Sequence, residues 1–174
     1  MGFFSRLMLA LWVARIKQTT AASEFEILAP VSGELVHLEN TNDPAFSSRA
    51  VGDGVAVVPN EGTVYAPVSG TVAALFPTEH ALGIMSDDSS AQVMLHIGID
   101  TVKLEGKGFH ALVAQGDHVD AGQPLVEVDF DVVRAAGFDP TVFVIVCERS
   151  ENSTLREHAS GPVAVKEPVV WLSE

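Results

Sequence analysis

A chain of 174 residues, 47% of them hydrophobic, is long enough for one domain with a sizeable core and too apolar to be disordered. Its net charge of −13 excludes nucleic acid as a partner, because neutralising phosphates requires a basic surface. The single cysteine, Cys147, excludes an internal disulfide and any multi-cysteine zinc site, and fits a cytosolic protein with basic partners.

The first segment differs from the rest. Residues 1–20 hold three of the ten basic residues, Arg6, Arg15 and Lys17, and no acid, which leaves seven basic against 23 acidic residues downstream. The apolar run from Leu7 stops at Arg15, well short of the ~20 residues a membrane-spanning helix needs. Residues 1–23 are therefore expected to form a basic amphipathic tail on an anionic membrane surface. Phe3, Phe4, Leu7, Leu11 and Trp12 would insert, with Arg6, Arg15 and Lys17 near headgroups. A secretory signal with a weak cleavage site, or a tail packed on its own domain, are the other readings of the segment.

Residues 24–174 have a different texture. The short runs GELVHL, GVAVV, GTVAALF, QVMLHIGI, PLVEVDF and TVFVIV alternate with Gly, Pro, Asn and Asp clusters, the pattern of an all-β domain. One helix is expected, roughly Asp131 to Ala136, ended by Gly137 and Pro140. APVSGEL at 29–35 is echoed by APVSGTV at 66–72, each with Pro before a turn and Gly where positive φ is expected. The phrase GDHVDAGQPLVEVD at 116–129 reads as a third hairpin of similar style. Together these features predict an antiparallel sandwich or barrel with repeated corners.

The histidines divide by context. In the strand at 92–98, alternation puts Val93, Leu95 and Ile97 on one face and Met94, His96 and Gly98 on the other, so His96 faces away from the core beside open space. The pattern equally suits a hydrogen-bonded structural histidine. His80 lies in FPTEHALGI two residues after Thr78, whose hydroxyl can fix one imidazole nitrogen and so choose the tautomer of the other. His37, His110, His118 and His158 are expected to be solvated.

The phrases APVSGEL, FSSRAVGDGVAVVP, APVSGTVAALFPTEHALGI, MLHIGIDTVKLEGKGF and GDHVDAGQPLVEVDF, in that order, resemble the glucose-type IIA component of the bacterial phosphoenolpyruvate-dependent sugar phosphotransferase system. MGFFSRL also resembles the start of stand-alone members, which carry a lipid-binding amphipathic tail. The resemblance implies an antiparallel β-sandwich with Greek-key and jelly-roll connections, a barrel-sandwich hybrid, plus a short helix. It implies a phosphocarrier that takes a phosphoryl group from the phosphohistidine of HPr and passes it to the IIB domain of a sugar permease. By motif, His96 is the phosphorylated residue, His80 the second active-site histidine and Thr78 its hydrogen-bonding partner. Asp43 and Asp100 match the acidic residues that meet basic groups on partners. Phe46, Phe76 and Met94 fall in the contact surface, with Ile97 doubtful there because alternation assigns it to the core.

No resident cofactor is expected. A zinc ion between His80 and His96 would be weakly held unless a partner added a ligand. The rival reading, a zinc-dependent peptidase-like or metal-binding sandwich domain, rests on the H-x-x-x-D spacing of His96 and Asp100, and lacks the further His-x-His pair such a site needs. The expected location is cytoplasmic, peripheral at the inner face of the membrane. Deleting residues 1–20 should reduce sedimentation with anionic vesicles and leave phosphorylation by HPr nearly intact; equal vesicle binding by the two forms would remove the membrane assignment.

Overall fold

The computed structural model describes residues 24–174. The amphipathic-tail reading of residues 1–23 lies outside the described residues. Strands make up 46% of the described residues and helices 11%, and every strand pairing is antiparallel. The fold is an all-β sandwich.

One large sheet carries the site. It contains β2 (Gly33–His37), β3 (Asp53–Pro59), β5 (Gly70–Leu75), β6 (Ala81–Ser86), β7 (Ala91–Ile97), β9 (His118–Val119), β11 (Val142–Arg149) and β13 (Gly161–Val163), in the spatial order β13-β2-β3-β11-β7-β6-β5-β9. Two three-stranded sheets pack on one of its faces. One is β1 (Phe25–Leu28), β14 (Pro168–Ser173) and β12 (Thr154–Glu157); the other is β4 (Thr63–Tyr65), β10 (Pro124–Val128) and β8 (Phe109–Ala111). Val55, Val57, Leu82, Ile84, Val93, Leu95, Ile97, Val142 and Val144 of the large sheet meet Ile27, Val64, Val126, Val170 and Leu172 of the small sheets in one core. Burying these side chains out of water is the main stabilising term. β7 alternates buried and half-buried residues, as a strand covered fully on one face only must.

The echoed phrases form the centre of an approximate internal two-fold. Leu28 N–H donates to the Pro67 carbonyl at 2.9 Å and Tyr65 N–H to the Pro30 carbonyl at 2.8 Å, so each phrase bonds the other reciprocally. Val165 N–H donates to Ser32 Oγ and Ala121 N–H to Ser69 Oγ, again in matched positions. The sheet order follows the same relation: β13-β2-β3-β11 mirrors β9-β5-β6-β7, and β1-β14-β12 mirrors β4-β10-β8.

Three expectations change. Gly33 and Gly70 do not have positive φ; each is a close-approach glycine, because a Cβ there would collide with the carbonyl oxygen of Val58 or Met85 on the adjacent strand. Residues 116–129 are not a hairpin: β9 pairs with β5, while β10 pairs with β4 and β8, and a turn at Gly122 (φ +82°) carries the chain between sheets. The expected helix runs Phe130–Ala135, one residue early, because the Asp129 carboxylate caps the N–H groups of Asp131 and Val132; Gly137 at φ +85° follows its end. A one-turn helix, Pro44–Ser47, was not expected although Asp43 and Pro44 form an N-cap and N1 signal. These two helices are α1 (Pro44–Ser47) and α2 (Phe130–Ala135).

Gly70→Ala should destabilise by about 1–3 kcal/mol, the usual cost of overpacking. Gly83→Ala, where an added Cβ meets nothing within 4 Å, should change stability by under about 1 kcal/mol. Urea denaturation midpoints of the two variants check this, and equal midpoints would remove the close-approach explanation.

Candidate active site

His96 is positioned by pairing on both sides of β7. On one side it sits opposite Phe143 of β11, and on the other opposite Ala81 of β6. His80 is one residue before β6, and its carbonyl accepts from the Ile97 N–H at 2.7 Å. The register therefore forces the two imidazoles together, with ring centroids 5.0 Å apart and planes at 87°.

The turn that delivers His80 is pinned. Phe76 N–H donates to the Ala81 carbonyl and Glu79 N–H to the Phe76 carbonyl, and Glu79 takes φ +59° to close the turn. Its carboxylate accepts from Ala111 N–H at 2.8 Å, which ties the turn to β8. Thr78 Oγ1 lies 2.6 Å from His80 Nδ1. With the hydroxyl donating, the Nδ1 lone pair is used and Nε2 carries the proton. His80 is only 4% exposed, and burial together with neighbouring His96 lowers its pKa to about 4. It is neutral at pH 7.

His96 Nδ1 lies 2.8 Å from the Gly98 carbonyl. A carbonyl oxygen only accepts, so Nδ1 holds the proton and Nε2 keeps a free lone pair. Burial lowers the His96 pKa below the ordinary imidazole value, against an upward pull from the Gly98 carbonyl and the Asp43 and Asp100 carboxylates. The site thus holds two neutral imidazoles, one of them with a nucleophilic nitrogen.

Around them, the structure brings together the residues expected from sequence but assigns some of them other positions. Phe76 is 49% exposed and lies 5.5 Å from the His80 ring. Met94 is half-buried beside a small cluster of Leu38, Phe46, Ala56, Phe143 and Ile145 on the outer face of the large sheet. Phe46 was expected on the contact surface but is 5% exposed: it stacks on Phe143 at 4.3 Å and reaches His96 at 5.1 Å, forming a floor. Ile97 is fully buried in the main core, which removes it from that surface. Asp43 caps α1 through the N–H groups of Ala45 and Phe46. Asp100 takes φ +60° and meets Lys103 at 3.4 Å.

The role of Phe143 and of the Gly98 carbonyl was missed, because both depend on a turn and on a strand 47 residues away that local alternation does not register. Of the histidines expected to be solvated, His37 instead pairs with Glu157 at 2.9 Å, and His118 pairs with Asp87 at 2.9 Å on the surface. Among the described residues no group of three or more His, Cys, Asp or Glu side chains is placed to hold a metal ion, so nothing in the geometry supports the peptidase reading.

A family model described as the phosphoenolpyruvate-dependent sugar phosphotransferase system, EIIA 1, matches residues 25–152. The chain belongs to this family. It is similar to the solved structure of glucose permease IIA from Mycoplasma capricolum, with 35% identity and a TM-score of 0.78 over 86% of this chain and 96% of that one. It is 41% identical over 144 residues to the glucose-specific EIICBA component of Streptococcus pneumoniae, matching 83% of this chain and 20% of that one. It is also 42% identical over 147 residues to the β-glucoside-specific EIIBCA component of Bacillus subtilis, matching 84% and 24%. The chain spans about a fifth to a quarter of the length of these curated relatives. As an EIIA domain it is a component of a sugar phosphotransferase system.

The depressed His80 pKa has a sign-specific consequence. Below pH 6.5 the unfolded chain protonates this residue, while the folded EIIA domain does not until about pH 4, so stability falls as pH drops through that window. The loss attributable to His80 between pH 7 and pH 5 is on the order of 2 kcal/mol. Urea denaturation at the two pH values should show a smaller loss for His80→Gln than for the wild type. Equal losses would show that His80 is not held neutral by the fold.

Proposed function

We propose that His96 Nε2 takes a phosphoryl group from the phosphohistidine of HPr and passes it to a cysteine of the IIB domain of a sugar permease. The observation that carries this reading is the Nδ1–H···O=C bond to Gly98, which commits one ring nitrogen and leaves the other free. On acceptance, the donor's P–N bond breaks as the His96 Nε2–P bond forms; on donation that bond breaks as P–S forms on the IIB cysteine. In neither step does His96 Nδ1 have to give up its proton.

Transfers of this kind pass through a loose transition state, so alignment and charge stabilisation supply most of the catalysis. His80 Nε2–H, oriented by Thr78, would donate to a phosphoryl oxygen as charge moves. Phe46 and Phe143 give the His96 ring an apolar floor, while exposed Phe76 and half-buried Met94 are suited to contact partners. Asp43 and Asp100, whose charges act on His96, repel phosphate and would instead capture a basic group on HPr or IIB.

The relatives are named for different sugars, glucose and β-glucosides, and their EIICBA and EIIBCA names join A, B and C parts. The site described here contacts proteins in this reading, and the permease selects the sugar. Among the described residues no helix is long and apolar enough to cross a membrane. We place the protein in the cytoplasm, peripheral at the inner face of the membrane through its basic tail.

Intact mass after incubation with phosphoenolpyruvate, Enzyme I and HPr should rise by one phosphate that is labile in acid and stable in base. His96→Ala should accept none. His80→Gln should still accept phosphate but donate to IIB roughly a hundredfold or more slowly, the usual cost of one well-placed charge-stabilising donor. The pair of rates, HPr to EIIA and EIIA to IIB, measures this. Phosphate mapped to residue 80, or acceptance blocked equally in both variants, would reverse the assignment.

A further inference from the structure

The tautomer of His96 depends on where the Gly98 carbonyl points, and that carbonyl belongs to a turn at the end of β7. Gly98 has φ +79°, and any Cβ there would collide with the Thr101 side chain. Thr101 is fully buried and its hydroxyl donates to the Ile97 carbonyl at 2.5 Å, which fixes the inner side of the turn. The outer side is held from the segment between α2 and β11. Gly98 N–H donates to the Thr141 carbonyl at 2.8 Å, and Ile99 N–H to the Asp139 carbonyl at 2.9 Å.

Both acceptors are organised by one side chain. Asp139 Oδ1 accepts from the Thr141 N–H at 2.9 Å and from its hydroxyl at 2.5 Å. Asp139 Oδ2 accepts from Asn42 Nδ2 at 3.4 Å, next to Asp43 and the α1 segment that places Phe46 beneath His96. A single carboxylate therefore bonds the strand start that holds the Gly98 turn and the loop that floors the ring.

We propose that Asp139 is a positioning residue for His96: through Thr141 and its own carbonyl it holds the Gly98 turn so that the Nδ1 proton is captured and Nε2 is presented. Asp139 works through hydrogen-bond geometry here, since its bonds go to neutral donors and none reaches the imidazole. Asn at this position keeps an Oδ1 acceptor for Thr141, and Asn42 can turn its amide to meet the new one. Charge is dispensable in this arrangement, whereas the acceptor is not. The inference rests on the reading of His96 as the phosphorylated residue only for its kinetic consequence; the tautomer itself is read without any partner.

The test is imidazole ¹⁵N spectroscopy of His96 at pH 8 in the wild type and in Asp139→Ala, Asp139→Asn and Thr141→Val, each first shown to be folded by its dispersed amide spectrum. The wild type and Asp139→Asn should show the Nδ1–H form. Asp139→Ala should shift the Nδ1–H to Nε2–H ratio by up to roughly tenfold, the weight of about one net hydrogen bond, and slow acceptance from HPr by a similar factor. Thr141→Val, which removes one of the two bonds to Oδ1, should shift the ratio by a smaller factor and answers the question if Asp139→Ala does not fold. A folded Asp139→Ala with an unchanged His96 tautomer would overturn the proposal, as would an Asp139→Asn shift equal to that of Asp139→Ala. If the tautomer moves as expected and yet no variant or wild type accepts phosphate, the positioning role stands and the phosphocarrier reading fails.

Discussion

The antiparallel pairing of β7 with β11 is the constraint on which the remaining architecture depends. It joins the two related halves of the large sheet, β13-β2-β3-β11 and β7-β6-β5-β9, along one line of hydrogen bonds. It also puts Phe143 opposite His96, so the register that closes the core on one face builds the floor of the site on the other. Because side chains alternate with a period of two, a slip of one residue would bury His96 in the main core and expose Leu95 or Ile97. Register is thus specified by the hydrophobic core, and the chemistry inherits it.

The second feature of the site is restraint of charge. His80 and His96 are both held neutral by burial, and the nearest carboxylates that act on His96, Asp43 and Asp100, oppose that effect without reversing it. The proposed transfer needs a neutral His96, since an Nε2 that holds a proton has no lone pair to attack phosphorus. The same carboxylates give the face of an acidic protein a local bias toward basic partners. In the proposed function, the carboxylates therefore shape recognition and the imidazoles shape chemistry.

Much of this was legible in the sequence, and what was not follows a physical pattern. Period-two alternation in QVMLHIGI placed His96 off the core face, and the Thr78–His80 spacing placed a hydroxyl on an imidazole, because both are local relations within a few residues. Phe143 was visible as part of an apolar run, but its position under His96 depends on pairing between distant strands. Phe46 was assigned to the contact surface as an apolar residue of the resembled site; the Asp43 cap turns the chain and the ring lies buried beneath His96. The repeated Ala-Pro-Val-Ser-Gly phrases announced repeated corners, yet the reason for their glycines, a carbonyl of the next strand lying too close for a Cβ, exists only after the sheet has formed.

The late position of β11 in the chain also has a temporal meaning. His96 leaves the ribosome well before Phe143, Thr141 and Asp139, so for part of synthesis the histidine exists without its floor and without the segment that fixes its turn. Pairings between distant strands are the slow events in β-rich folding, because chain entropy must be lost before contacts compensate for it. A nascent or half-folded chain therefore displays His96 but not its orientation. In the proposed function, competence to carry phosphate becomes a property of the completed sheet, and a partner docking on this face would inspect the fold as it reads the site.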